Sequence, residues 1–193
     1  VAELSLRRIP FFRPAGAGFS RTPIARATAG LVELPSSGFA PDALLSLADV
    51  LEGLALVAPG TRARVGRAIV ELRAREDWED LKRRLDARLG RAAPAEPAEA
   101  EGRLSRRDAK VRLDLEALRC VVDLLSPVLP DTAPATWSAW AARIAASGDA
   151  LLGHLASAGE IAMAAARLDE LEAVDPAASV AASELLPLLA EAL

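Results

Sequence analysis

The chain has 193 residues, of which 52% are hydrophobic, 26% charged and 4% aromatic, with a formal net charge of −4. A fold of this size buries about 70% of its unfolded surface, so it can build a true core, and the composition excludes wholesale disorder. One cysteine and one histidine exclude a disulfide framework, a Cys-based zinc or iron–sulfur site and a multi-histidine metal centre.

Tyr is absent and the apolar mass is mostly Ala, Leu and Val, which favours helix over sheet. The first strongly aromatic stretch, Arg8-Ile9-Pro10-Phe11-Phe12, has strand character and leads into a turn at Arg13–Gly18, as glycines and proline dictate. Residues 1–21 are therefore expected to be extended. Thr22 before Pro23 predicts an N-cap and a first helical turn, ending at Pro35–Gly38. Pro41 opens a second helix with Leu44, Leu45, Ala48, Leu51 and Leu54 on one face, up to Pro59-Gly60. A third runs from Thr61 or Arg62 to about Arg75 through Val65, Ile69 and Leu72. A fourth starts at Asp77 with Trp78, Leu81, Leu85 and Leu89.

Residues 91–102, rich in Ala, Pro and Glu, read as a flexible linker. A long helix from about Ser105 to Leu125 carries Val111, Leu115, Leu118, Val122 and Leu125, and Leu113, Val121 and Leu124 widen its apolar face. Pro127 and Pro130 end it. Thr132 or Ala133 with Pro134 opens the next helix, with Trp137, Trp140 and Ile144, and Ser147-Gly148-Asp149 as a site of kinking or division. Residues 157–172 predict another helix. Asp175-Pro176 caps the last, which Pro187 should kink. The fold class is all-α: an irregular multi-helix bundle of about seven to nine helices with a short extended N-terminal segment. The organisation is 1–21 extended, 22–90 a first helical half, 91–102 the linker, and 103–193 a second half of the same domain. No repeat period of solenoid type matches along the chain.

The charge is unevenly placed. Residues 1–119 carry 21 basic and 17 acidic side chains, and residues 120–193 carry 2 and 10. The candidate anion-contacting residues are Arg62, Arg64 and Arg67 on the third helix, Arg83 and Arg84 on the fourth, and Arg106, Arg107 and Lys110 past the linker. Two readings stand beside each other: a face that tracks DNA phosphates, and a solvated helix surface laced with internal ion pairs. Glu76, Asp77, Glu79 and Asp80 read more simply as helix-N-terminal charge with Arg83 and Arg84 as partners than as a cation site. Trp137 and Trp140 read as core rather than as base-stacking groups. Cys120 reads as a buried structural thiol, and His154 as a boundary residue with no partner at metal-ligand spacing. There is no phosphate loop, and Gly16-Ala17-Gly18 is not a dinucleotide fingerprint. No cofactor, metal site or catalytic constellation is expected in this fragment. No stretch of 18 apolar residues free of charge predicts a membrane span, and a cytoplasmic location is expected.

Leu6-Arg7-Arg8-Ile9-Pro10-Phe11-Phe12, Arg21-Thr22-Pro23-Ile24-Ala25-Arg26-Ala27 and Gly30-Leu31-Val32-Glu33-Leu34 form an ordered set. It resembles the segment of AddB/RecB-like UvrD-type helicase–nucleases (PD-(D/E)XK nuclease family, exonuclease V-like) where the second RecA-like domain passes into a helical, 2B-like insertion. Gly38-Phe39-Ala40-Pro41 and Thr136-Trp137-Ser138-Ala139-Trp140-Ala141 are similar to later stretches of that insertion. The turn at Pro14–Gly18 is looser than the family's, and the Ala/Pro/Glu linker looks like a local insertion. The resemblance implies a non-catalytic accessory domain, excised from a parent that binds ATP and acts in bacterial double-strand break repair and recombination. Its implied partners are DNA, the rest of the parent and a partner subunit. The alternative is a stand-alone helical protein–protein interaction or regulatory domain with no DNA role. The first residue is Val1, which fits an excised piece of a longer protein.

Overall fold

The computed structural model describes residues 22–73, 77–91, 106–153 and, beyond 164, all but 167, 169, 174, 176, 177 and 193. The expected extended segment 1–21, the linker from 92 onward, and His154 lie outside the described residues. Seven helices are α1 (Pro23–Ser36), α2 (Pro41–Gly53), α3 (Thr61–Leu72), α4 (Trp78–Arg91), α5 (Arg106–Leu125), α6 (Trp137–Leu152) and α7 (Ala182–Ala192). The described positions between 165 and 172 are helical as well. The fold is all-α, and an isolated antiparallel bridge between Ala135 and Val180 is its β-type pairing among the described residues.

The helix starts follow from local chemistry. Thr22 Oγ1 accepts the Ala25 N–H at 3.1 Å, an N-cap bond that satisfies one orphan donor of α1. Pro41 stands at the head of α2, where its missing N–H costs nothing. Asp77 Oδ1 accepts the N–H groups of Glu79 and Asp80 at 2.9 and 3.1 Å. Thr136 caps α6 by accepting the Ala139 N–H. Glu184 reaches back to the Ala181 N–H at 3.1 Å, the acidic half of a capping box on α7.

Several ends differ from the sequence expectation. α2 stops at Gly53 instead of continuing to Pro59. Ala55 takes the left-handed conformation (φ 58°), its N–H bonds to Glu52, and the Leu56 N–H bonds to Leu51. That is a Schellman closure with alanine where glycine is usual. α6 begins at Trp137 and not near Pro134, because Ala135 is held in the bridge to Val180. The helix then runs unbroken through Ser147 and Gly148, both buried. α7 starts at Ala182, later than Asp175-Pro176 suggested, since Val180 is committed to the same bridge.

The described residues group into two compact units whose boundaries fall at 36/37 and 127/128. One unit joins α1 to α6, α7 and the segment between them. Its core holds Ala25, Val32, Trp137, Trp140, Ala141, Ile144, Leu168, Val180, Ala182, Leu185 and Leu189. Trp140 is 0% exposed, and its Nε1–H donates to the Val180 carbonyl at 2.9 Å. The Arg143 guanidinium lies over the same ring at 5.0 Å.

The other unit contains α2–α5. α3 packs most extensively on α5, α2 packs on α3, and α4 packs on both α3 and α5. Its buried residues include Leu44, Leu47, Val65, Ile69, Leu81, Leu85, Leu115, Leu118, Val121 and Val122. Phe39 stacks on Trp78 with ring centroids 4.8 Å apart. The α5 face is narrower than the sequence suggested. Leu113 is 51% exposed, and Cys120 is exposed, not buried. Positions 109, 113, 116, 120 and 123 repeat at helical spacing and are all exposed, so Cys120 belongs to the solvent stripe of α5.

Candidate nucleic-acid interface

The basic residues singled out by sequence all fall in the unit built from α2–α5. The structure divides them into engaged and free. On α3, Arg67 makes a bidentate pair with Asp114 of α5: Nε to Oδ2 at 2.8 Å and Nη2 to Oδ1 at 2.7 Å. The Asp114 side chain is 8% exposed, the Arg67 side chain 47%. A buried carboxylate needs such a fork, since an unpaired charge there carries the full desolvation cost. The bond to Asp114 raises the Arg67 pKa above its ordinary value.

On α4, Asp80 accepts from both Arg83 and Arg84, with Arg84 Nε at 2.6 Å. Arg84 also points Nη1 at the carbonyls of Leu72 and Arg73 at the end of α3. Cations suit that position, because the last carbonyls of a helix lack partners. Lys82 pairs with Glu79, Arg88 with Glu71, Arg112 with Glu116, and Arg119 with Asp86. The acidic run at 77–80 thus serves helix capping and intrahelical pairing. No group of three or more His, Cys, Asp or Glu able to hold a metal occurs among the described residues.

Arg62 is exposed and lies 3.6 Å from Asp49. Its backbone N–H, with that of Gly60, is held by Glu52, Oε2 at 3.0 Å and Oε1 at 2.7 Å. Gly60 has φ 81°, which only glycine adopts without strain. These backbone donors hold the Glu52 carboxyl below its usual range. Glu52 is in effect a cap for α3 supplied from α2.

Arg64, Arg107 and Lys110 are exposed and have no ion pair with a described carboxylate. Arg106 is the first residue of α5, and its side chain lies outside the described residues. Of the eight candidates, four are therefore tied to carboxylates, and Arg64, Arg107 and Lys110 are exposed with no carboxylate partner among the described residues.

Sequence reasoning missed Asp114 and Glu52 as organising residues. A signal for Asp114 existed: it lies on the stripe formed by Val111, Leu115 and Leu118, where a charge demands a partner. Glu52 gave no such signal, because its partners are backbone groups eight and ten residues away. No helix among the described residues is long and apolar enough to cross a membrane. Comparison with protein-family models, with curated proteins and with solved structures finds no match to this chain.

Proposed function

We propose that this chain is a non-catalytic, all-helical accessory domain of a bacterial ATP-dependent helicase–nuclease acting in double-strand break repair, where it contacts DNA or a partner subunit. The observation that carries the reading is the ordered set of motifs between residues 6 and 34 with its likeness to the AddB/RecB-like junction. The free, exposed Arg64, Arg107 and Lys110 support a role in holding an anion. ATP turnover and phosphodiester cleavage then belong to other parts of the parent, and the working side chains here bind rather than react. In that account the cytoplasm is the site of action, and the domain itself needs no cofactor.

A second reading is favoured by one observation. Arg62, Arg67, Arg83 and Arg84 are already paired with carboxylates, which suits a stand-alone helical interaction or regulatory domain with no DNA role.

The test has two parts. The coding sequence adjoining this segment should encode a RecA-like motor core and a nuclease. The chain itself should retard a forked DNA duplex in a gel at low salt without hydrolysing ATP or the DNA. A neighbouring sequence with neither a motor nor a nuclease, together with no retardation, refutes the proposal and leaves the interaction domain.

A further inference from the structure

The direction of α3 relative to α5 can be fixed from the ion pairs. Arg67 of α3 holds Asp114 of α5. Arg84 and Arg88 of α4 bond to Leu72, Arg73 and Glu71 at the far end of α3. Asp86, between them on α4, holds Arg119 of α5. The contact points therefore advance from 67 to 71–73 along α3 and from 114 to 119 along α5. The two helices run parallel, with their N-terminal ends on the same side.

Arg64 precedes Arg67 by three residues, and Lys110 and Arg107 precede Asp114 by four and seven. These spacings return to the same face of each helix as the Arg67–Asp114 pair. At 1.5 Å per residue they lie about 4.5, 6 and 10.5 Å back along the axes. The three free cations thus line one exposed edge of the α3–α5 seam, beyond the Arg67–Asp114 pair that fixes its register.

That placement is electrostatically unfavourable for the isolated fold. Like charges at i, i+3 repel, and cations sit at the positive ends of both helices. The carboxylates nearby are engaged: Glu52 with backbone N–H groups, Asp49 with Arg62, and Asp108 with an interaction of its own. Elsewhere in this unit the described basic side chains find carboxylates, apart from Arg73 at the end of α3. Asp108 and Ala109, the exposed positions between Arg107 and Lys110 in sequence, lie about 100° or more around α5 from either cation, so the Asp108 carboxylate points off the face that Arg107 and Lys110 share.

We infer that Arg64, Arg107 and Lys110 form a phosphate-contacting edge for the sugar–phosphate backbone of DNA, positioned by the Arg67–Asp114 pair. This rests on the proposed DNA role and narrows it to three residues, setting aside Arg83 and Arg84. Arg67 acts as a positioning residue there, and the contacts are sequence-independent.

The test is fluorescence anisotropy of the 193-residue chain with a labelled forked duplex across a salt series. The variant Arg64→Gln/Arg107→Gln/Lys110→Gln should flatten the plot of log K against log salt by roughly three, about one per lost contact. Arg83→Gln/Arg112→Gln, which alters paired cations, should leave the slope unchanged. Circular dichroism establishes that each variant folds; if the triple variant does not, Lys110→Gln alone should lower the slope by about one. Wild-type binding with an unaltered slope in the triple variant overturns this inference and leaves the DNA role standing. Absence of wild-type binding to DNA overturns both, and binding to polyglutamate in its place identifies an acidic protein surface as the partner.

Discussion

Trp140 offers a measurable test of how the α1, α6 and α7 unit is held. Its ring is 0% exposed, donates one hydrogen bond to the Val180 carbonyl and lies beneath the Arg143 guanidinium. Truncation to alanine removes a buried aromatic and leaves a cavity, a change that costs about 3–5 kcal/mol. Trp140→Phe keeps most of the ring but loses the Nε1–H donor. The Val180 carbonyl keeps the bond from the Ala135 N–H at 3.1 Å, so no acceptor is orphaned. The loss should then sit near the low end for a hydrogen bond, roughly 0.5–1 kcal/mol, plus a smaller term for lost packing. At roughly 2–4 °C per kcal/mol for a chain of this size, Trp140→Ala should lower the melting temperature by about 6–20 °C and Trp140→Phe by a few degrees. Thermal unfolding followed by circular dichroism reads this directly. Amide hydrogen exchange should show the loss of protection in α1, α6 and α7. A Trp140→Ala variant that melts within about a degree of the wild type would refute the assigned core, since no fully buried tryptophan is removed at so small a cost.

Other outcomes follow from the same structure. Asp114→Leu combined with Arg67→Met should melt higher than Arg67→Met alone, because the single change strands a buried carboxylate and the double change does not; a double variant that melts no higher than the single contradicts the pairing. Ala55→Gly should raise stability by about 1 kcal/mol by relieving a left-handed alanine, visible as a higher urea midpoint at unchanged slope. Glu52 has a folded pKa below its ordinary value of 4.5, so its contribution is present above that value and is lost as pH falls through the lower folded value. The melting-temperature gap between wild type and Glu52→Gln should therefore close as the pH falls below the ordinary carboxylate range, and a gap that is constant from neutral to acid pH would contradict the cap. Cys120 should react rapidly with a thiol reagent in the native protein, since it lies on the solvent stripe of α5; protection until unfolding would contradict that placement.

Much of the helical framework was legible from sequence because its determinants are local. Thr22-Pro23, Pro41 and Asp77 mark helix starts by chemistry contained within three or four residues. Trp137 and Trp140 were recognised as core because a spacing of three on an Ala-rich helix leaves them one shared face. Where the determinants are distant, the reading drifted. The start of α6 depends on Ala135 meeting Val180 across some forty-five residues of chain, and no local pattern announces that bridge. Ala55 closes α2 in a conformation for which glycine is the usual signal, while Gly53 and Gly60 stand on either side and blur it. Cys120 is of a residue type usually found buried, but its phase on α5 puts it on the exposed stripe.

The candidate interface was legible only as a collection. Composition and spacing drew attention to Arg62, Arg64, Arg67, Arg83, Arg84, Arg106, Arg107 and Lys110 as a group. Sorting them required tertiary partners: Asp114 for Arg67 is forty-seven residues away, whereas Asp80 for Arg83 and Arg84 is visible at i+3 and i+4 spacing. The long-range pair had no counterpart in any short window, although a charge on the apolar stripe of α5 was a sign that one existed.

The most direct test of the account is a titration of the chain into labelled forked duplex DNA at about 50 mM and about 200 mM salt. Binding at the lower concentration that weakens steeply at the higher is the expected result, as phosphate contacts made by a few cations require. No detectable binding at either concentration, with the chain folded by circular dichroism, would contradict the claim that this domain grips DNA.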